Sequence, residues 1–446
     1  MNVISFTKLY RCIWLHGFLL MAMLLLQACS ETSTNKAAED VASKDELVVD
    51  NEPLDPPNET PPTDPPVDPP ADPPVTTVLC DSNAPEPVFI PVTALAATTA
   101  ADFGSGANAI ITGDSNGQFS SMNNINPTGS DITVATYGEF FYRIGRFFDG
   151  NNISKYAIND PQTVIWQYSV NDSSNDPVPA NPYDIIFVSE TKAYVLRYGK
   201  NKVWIVNPSA STEADFKIGE LDLSAYGPLD GTPEMSAAII VDKNLYIVMQ
   251  RLEGASFDVV NDAYIAIFDT TTDAEIDANI AGDSLKGIPL IVRNPNNINY
   301  QAETNTLFVQ ASGSFFPVKY VGGIETVNLS TYASTLFLDD GDDVSHPYGL
   351  ITALAVISPE LLYFVGYQSF TDNTLYAVDI NKRTISSAKV GQLISGQIQS
   401  LAVDPQGLLW VSDNANATVR ILNPLSCEEI DAVSTNLNPA KIVFAQ

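Results

Sequence analysis

From residue 80 onward the chain alternates short apolar runs with polar turns, in a unit that recurs roughly every fifty residues, the scale at which repeat architectures are built. Each unit reads as an apolar strand, a polar turn, a second strand rich in aromatic and β-branched residues, a variable loop, and a third strand ending in Asn or Asp. The predicted third strands end at Asn123, Asn159, Asn207, Asp269, Asn328, Asp379 and Asn423. An Asn or Asp there can bond the backbone two residues on and so start the turn to a fourth strand. The second strands, at 193–196, 245–248, 306–309, 361–365 and 408–411, are apolar at successive positions, so both of their faces must be covered. No amphipathic helix interrupts the series. Four strands per unit, repeated and covered on both faces, predict an all-β fold, a seven-bladed β-propeller over residues 80–446. Residues 438–444 repeat the opening of a unit seen at 181–187, so the last blade is expected to be completed by N-terminal strands around Ala109 to Met122.

The pattern upstream is different. Residues 29–79 carry no hydrophobic periodicity, and four Asp-Pro-Pro units, at Asp55, Asp64, Asp68 and Asp72, crowd into 53–74. Proline favours the extended polyproline II form and the carboxylates repel, so this segment is expected to be a disordered tether reaching ~60–70 Å. A solvated spacer accounts for it better than a ligand for a proline-binding domain. Residues 1–28 pair an early basic start (Lys8, Arg11) with a mostly apolar run from Ile13 to Leu26, the pattern of a signal peptide. The end of that run, Leu26-Gln27-Ala28-Cys29, resembles the lipobox of bacterial lipoproteins. The resemblance implies acylation of Cys29, with Cys29 as the first mature residue, and Ser30 after it implies the outer membrane, on either its periplasmic or its cell-surface face.

Charge narrows the partners. The chain has 53 acidic and 22 basic residues, a net charge of -31. Nucleic acid is excluded, because phosphate binding needs basic surface. The expected contacts are the membrane through the lipid anchor, and an envelope protein or small ligand captured by a monomeric propeller. Cys12 goes with the signal and Cys29 is acylated, which leaves Cys80 and Cys427 near opposite ends of the folded region. A disulfide is expected in such a compartment. A metal site has no partners to draw on, since His346 is the one histidine left in the mature chain.

Segments such as 202–207 (Lys-Val-Trp-Ile-Val-Asn) and 407–411 (Gly-Leu-Leu-Trp-Val) resemble the seven-bladed YVTN and NHL-like propellers of bacterial envelopes. That resemblance spans about residues 80–446 and implies the fold, while its members include lactonases, lyases and binding proteins, so it does not choose a function.

Three readings of the function follow. In the first, the loops between second and third strands, together with the connections between blades, form a binding face carrying aromatics and arginines, the residue types of interface anchors. The residues are Phe147, Phe148, Tyr183, Arg197, Tyr198, Arg251, Phe315, Phe316, Tyr348 and Tyr367, set against the alternative that some pack under long loops. In the second, a lactonase-like or lyase-like enzyme uses channel carboxylates, with or without a divalent cation. Three or more carboxyl or amide groups converging at the ring centre are what that reading requires. The third is an envelope scaffold with a flat face. No cofactor is called for by any motif, except that Asp339, Asp340, Asp342 and Asp343 around Gly341 resemble a calcium loop in composition. They lack the full spacing of one, and a solvated acidic turn is the competing reading. His346 sits in the following loop without a partnered nucleophile.

Overall fold

A computed structural model describes residues 79–279, 282–386 and 395–445. The signal, the lipidation at Cys29 and the tether up to residue 78 lie outside the described residues, while Leu79, placed in the tether by its sequence, packs against the cluster between blades 5 and 6. The expected fold is the observed one: seven antiparallel sheets, each a blade, six of them four-stranded and one, beginning at Leu350, carrying a short fifth strand at Ser395–Gly396. The innermost strands are Ile132–Tyr137, Pro182–Ser189, Met235–Val241, Pro295–Gln301, Leu350–Ser358, Ile398–Val403 and Asn438–Phe444, which begin blades 1 to 7 in that order. Consecutive inner strands touch all the way round, the last meeting the first, so they line a closed ring.

Blade 7 is built from both chain ends. Asn438–Phe444 pairs with Val92–Thr99, followed outward by Gly106–Gly113 and Phe119–Thr128. The closing strands therefore span a wider stretch than the predicted 109–122. One expected repeat is corrected here. Asn123 lies in the outermost strand, which is largely exposed, whereas the third strand of this blade is the buried Gly106–Gly113. Asp114 does the turn-starting work, its Oδ1 accepting the N–H groups of Asn116 (2.8 Å) and Gln118 (2.9 Å). Asn207, Asp269, Asn328, Asp379 and Asn423 each accept a backbone N–H two or three residues on, as their recurrence predicts.

The core is distributed between blades. Successive side chains of a strand point to opposite faces, so in the second strand of blade 2 Tyr194 and Leu196 pack toward blade 3 while Ala193 and Val195 pack toward blade 1. Every neighbouring pair of blades, including 7 with 1, is sealed by such a cluster. This is why the second strands are apolar along their length. The Cys80–Cys427 disulfide is present, with Cα atoms 4.9 Å apart. Among the described residues, no helix is long and apolar enough to cross a membrane.

Candidate functional site at the mouth of the ring

Each inner strand starts at the face that carries the second-to-third loops and the connections between blades. In six of the seven blades its register against the second strand breaks within the first three residues. A bulge re-aims the extra side chain and is common beside functional sites. Here the extra residues are Tyr183, Ser236, Asn296, Thr352, Gln399 with Ser400, and Ala440. Left-handed residues set the entry: Asn181 (φ 48°), Glu234 (φ 50°), Asn294 (φ 61°) and Gly349 (φ 66°) immediately precede the inner strands of blades 2 to 5. Asn and Gly tolerate that conformation. Glu234 is held in it by tertiary bonds, its buried carboxylate accepting Leu252 N–H at 3.0 Å.

The end of each second strand faces the start of the inner strand, and the same backbone bond recurs there. Arg146, Tyr198, Gln250 and Ser312 donate their N–H groups to the carbonyls of Asp131, Asn181, Glu234 and Asn294. This equivalence places their side chains at one level of the mouth, where they join into an arc. Arg146 is paired with Asp131 (2.9 Å) and lies over the Tyr183 ring at 4.6 Å. Tyr183 stacks on Tyr198 at 4.2 Å, and the Tyr198 hydroxyl donates to Gln250 Oε1 at 2.7 Å. Gln250 Nε2 donates to Asn296 Oδ1 (2.6 Å), and Asn296 Nδ2 to Ser312 Oγ (2.9 Å). Gln310 Nε2 reaches the same hydroxyl (3.0 Å) and the carbonyl of Ile351 in blade 5 (2.5 Å). The arc thus runs from blade 1 to blade 5 without a gap.

At its end and beyond it, buried oxygens stand without a protein partner: Gln310 Oε1 within the arc, then Thr352 Oγ1, Ser400 Oγ and Asn414 Oδ1. Unsatisfied buried polar atoms are uncommon, and these four retain free acceptor capacity that a water or a ligand group can fill. Deeper in the ring, Asp184 and Lys441 form an ion pair at 2.9 Å, joining blades 2 and 7. Asp184 is the one acid and Lys441 the one base on the seven inner strands, and no inner strand carries histidine. The amides thus gather in an arc around the mouth and not at one point in the ring centre, and the inner strands bring no set of carboxylates together there.

The predicted binding face is present by topology, but its residues divide. Phe148, Phe315 and Phe316 are exposed at 53%, 48% and 68%, and Phe147 lies half-buried against Phe148. These pairs belong to blades 1 and 4, so they do not form one groove. Tyr367 sits beneath Phe315. Arg197 and Tyr198 are not exposed as expected. Arg197 is 1% exposed, donates to the Val170 carbonyl, pairs with Asp172 and lies over Trp204. Arg251 is also tied down, donating to the carbonyls of Tyr226 and Asp262. Tyr348 packs against Phe364 and Tyr376.

The acidic loop is not assembled as a calcium site. Among the described residues no group of three acid, histidine or cysteine side chains is placed to hold a metal. The carboxylates serve their own turn instead: Asp339 accepts Gly341 N–H, Asp342 accepts Val344 and Ser345 N–H, and Asp340 turns inward to accept Gly322 N–H at 3.1 Å. Asp340 is fully buried, and burial, aided by Asp339, pushes its pKa up to about 7. Its folded pKa exceeds the unfolded value of about 3.9, so the folded state keeps this proton longer. Its contribution to stability is full below about pH 4 and is lost as pH rises through about 7. Asp340→Asn is expected to gain stability over the parent between pH 5 and pH 8, on the order of 1–3 kcal/mol, read from urea unfolding at both values. An unchanged difference at the two pH values would refute the assignment.

No family model matches the sequence, and no curated protein matches it. The fold has counterparts among solved structures. A protein from Bacteroides fragilis, provisionally assigned as a 6-phosphogluconolactonase, shares 11% identity at a TM-score of 0.55, covering 81% of this chain and all (100%) of its own. The corresponding protein from Bacteroides uniformis shares 11% identity at a TM-score of 0.53, covering 80% of this chain and 99% of its own. The periplasmic gluconolactonase of Pseudomonas aeruginosa gives 10%, 0.53, 80% and 99% for the same measures. At these identities the likeness shows the fold alone.

Proposed function

We propose that this protein is an envelope lipoprotein, anchored through Cys29 to the outer membrane, whose propeller binds a small neutral ligand rich in hydroxyl and carbonyl groups at the mouth of the ring. The observation that carries the reading is the convergence of bulged and strand-end polar side chains on one mouth, beside buried oxygens that lack partners. Amides and hydroxyls offer donors and acceptors in fixed directions, and the stacking of Tyr183 on Tyr198 helps to hold the arc rigid. Such a set suits a sugar-like ring and disfavours a highly charged ligand.

A second reading is ring-opening of a lactone, favoured by the gluconolactonase neighbours. Amides position a substrate but do not move protons at neutral pH, so this chemistry would fall to Asp184 as the base for water, once displaced from Lys441. One experiment separates the two. The full-length protein is titrated calorimetrically with glucose and glucono-1,5-lactone, and lactone loss is followed in parallel. Binding weakened at least tenfold by Asn296→Ala supports the site. Lactone turnover abolished by Asp184→Asn, with binding retained, would make it an enzyme. Absence of binding by both probes would refute the proposed ligand class.

A further inference from the structure

A second cleft, of about 350 Å³, opens between blades 1 and 2 toward the face opposite the mouth. Its volume is within the range of small-molecule sites. Lys155, from the third strand of blade 1, forms one wall with Ile165, Trp166 and Tyr168 of the outer strand, and the blade 2 turn at Pro208 to Ser211 forms the other. Trp166 and Tyr168 stack at 4.5 Å, and the Tyr168 hydroxyl fixes the turn by donating to the Ala210 carbonyl.

Lys155 is anomalous. It is 7% exposed, yet its ammonium has one hydrogen-bond acceptor, the Pro208 carbonyl at 3.1 Å, and rests 3.9 Å from the centre of the Phe140 ring. Among the described residues no carboxylate lies within 4 Å of it, while Lys192, Lys200 and Lys441 each hold an aspartate. In a chain with 53 acids and 22 bases, a buried lysine without an acid is the reverse of what composition favours. An ammonium carries three donors, and a buried charge without a counter-ion is costly. Burial lowers the Lys155 pKa, with Glu190 acting from a distance in the opposite direction.

We infer that this cleft binds a small aromatic carboxylate, its anionic group paired with Lys155 and its ring held by Ile165, Trp166 and Pro208. The ligand supplies the missing counter-ion, and the apolar wall selects a flat body over inorganic anions. The site is independent of the ring mouth.

The test uses benzoate and its neutral isostere benzamide on the full-length protein, by equilibrium dialysis. The expected result is saturable benzoate binding, with benzamide at least tenfold weaker. Lys155→Gln should bring benzoate down to the benzamide level. Ile165→Glu, at a half-exposed position on the lip, should weaken benzoate by repulsion at least fivefold while sparing benzamide, which keeps the test open if the lysine variant fails to fold. Asn296→Ala should alter neither. Equal binding of the two probes, no benzoate binding, or indifference to both cleft variants would overturn the inference.

Discussion

Exchanging residues 1–28 for an ordinary cleavable secretory signal, together with Cys29→Ser, should move the protein wholly from the membrane fraction to the soluble fraction. It should also abolish incorporation of radiolabelled palmitate. In the proposed arrangement anchoring and folding reside in separate segments of the chain. Each buried acyl methylene contributes about 0.8 kcal/mol to membrane attachment, so stable anchoring needs more than one chain, and the Cys29 motif is the one acylation signal recognised in the sequence. All seven blades lie between Val92 and Phe444, and among the described residues their sealing clusters reach no further toward the N-terminus than Leu79. The released protein should therefore unfold at the same temperature as the anchored one. Retention in the membrane fraction after the exchange would mean that another element holds it there, and loss of folding would mean that the upstream segment belongs to the core.

The fold was legible because propeller blades bury both faces of their second strands, and that demand writes unbroken apolar runs such as 193–196 and 361–365 into the chain. The turn-starting Asn and Asp positions were legible for a similarly local reason, since the bond reaches only two or three residues. Asn123 misled because it shares the residue type but lies in an outer strand. There it donates across the ring's seam to the Ser434 carbonyl instead of to its own turn. The mouth was largely illegible. Tyr183 and Tyr198 stood out as aromatics, but Gln250, Asn296, Gln310 and Ser312 are single polar residues at strand ends, drawn from two blades, and become one cluster only through the register breaks. A signal did exist in the recurrent Asn-Pro before the bulge, at Asn181-Pro182 and Asn294-Pro295. Arg197 shows the converse failure. An arginine beside a loop reads as exposed until Trp204 and Asp172 are seen to enclose it.

Reduction of the Cys80–Cys427 bond, or replacement of both residues by Ser, should lower the unfolding free energy by up to about 5 kcal/mol, among the largest losses available to a single covalent change in this chain. The bond closes a separation of 347 residues, and in the chain-entropy model the benefit grows with the logarithm of loop length. The folded state is already closed at this seam by the ladder between Val92–Thr99 and Asn438–Phe444, so the effect falls mainly on the unfolded ensemble. Local contacts should persist without it. Asp81 N–H bonds the Leu425 carbonyl at 2.9 Å, Ile90 N–H bonds Gln406 Oε1 at 2.9 Å, and the buried Tyr363 hydroxyl bonds the Pro424 carbonyl at 2.6 Å. The variant should accordingly keep its β-sheet circular dichroism at 25 °C while its urea midpoint falls. Free thiols in the unreduced, denatured protein would contradict the bond itself. An unchanged midpoint after reduction would show that the unfolded chain is already held compact near this seam, and that the cross-link adds nothing to it.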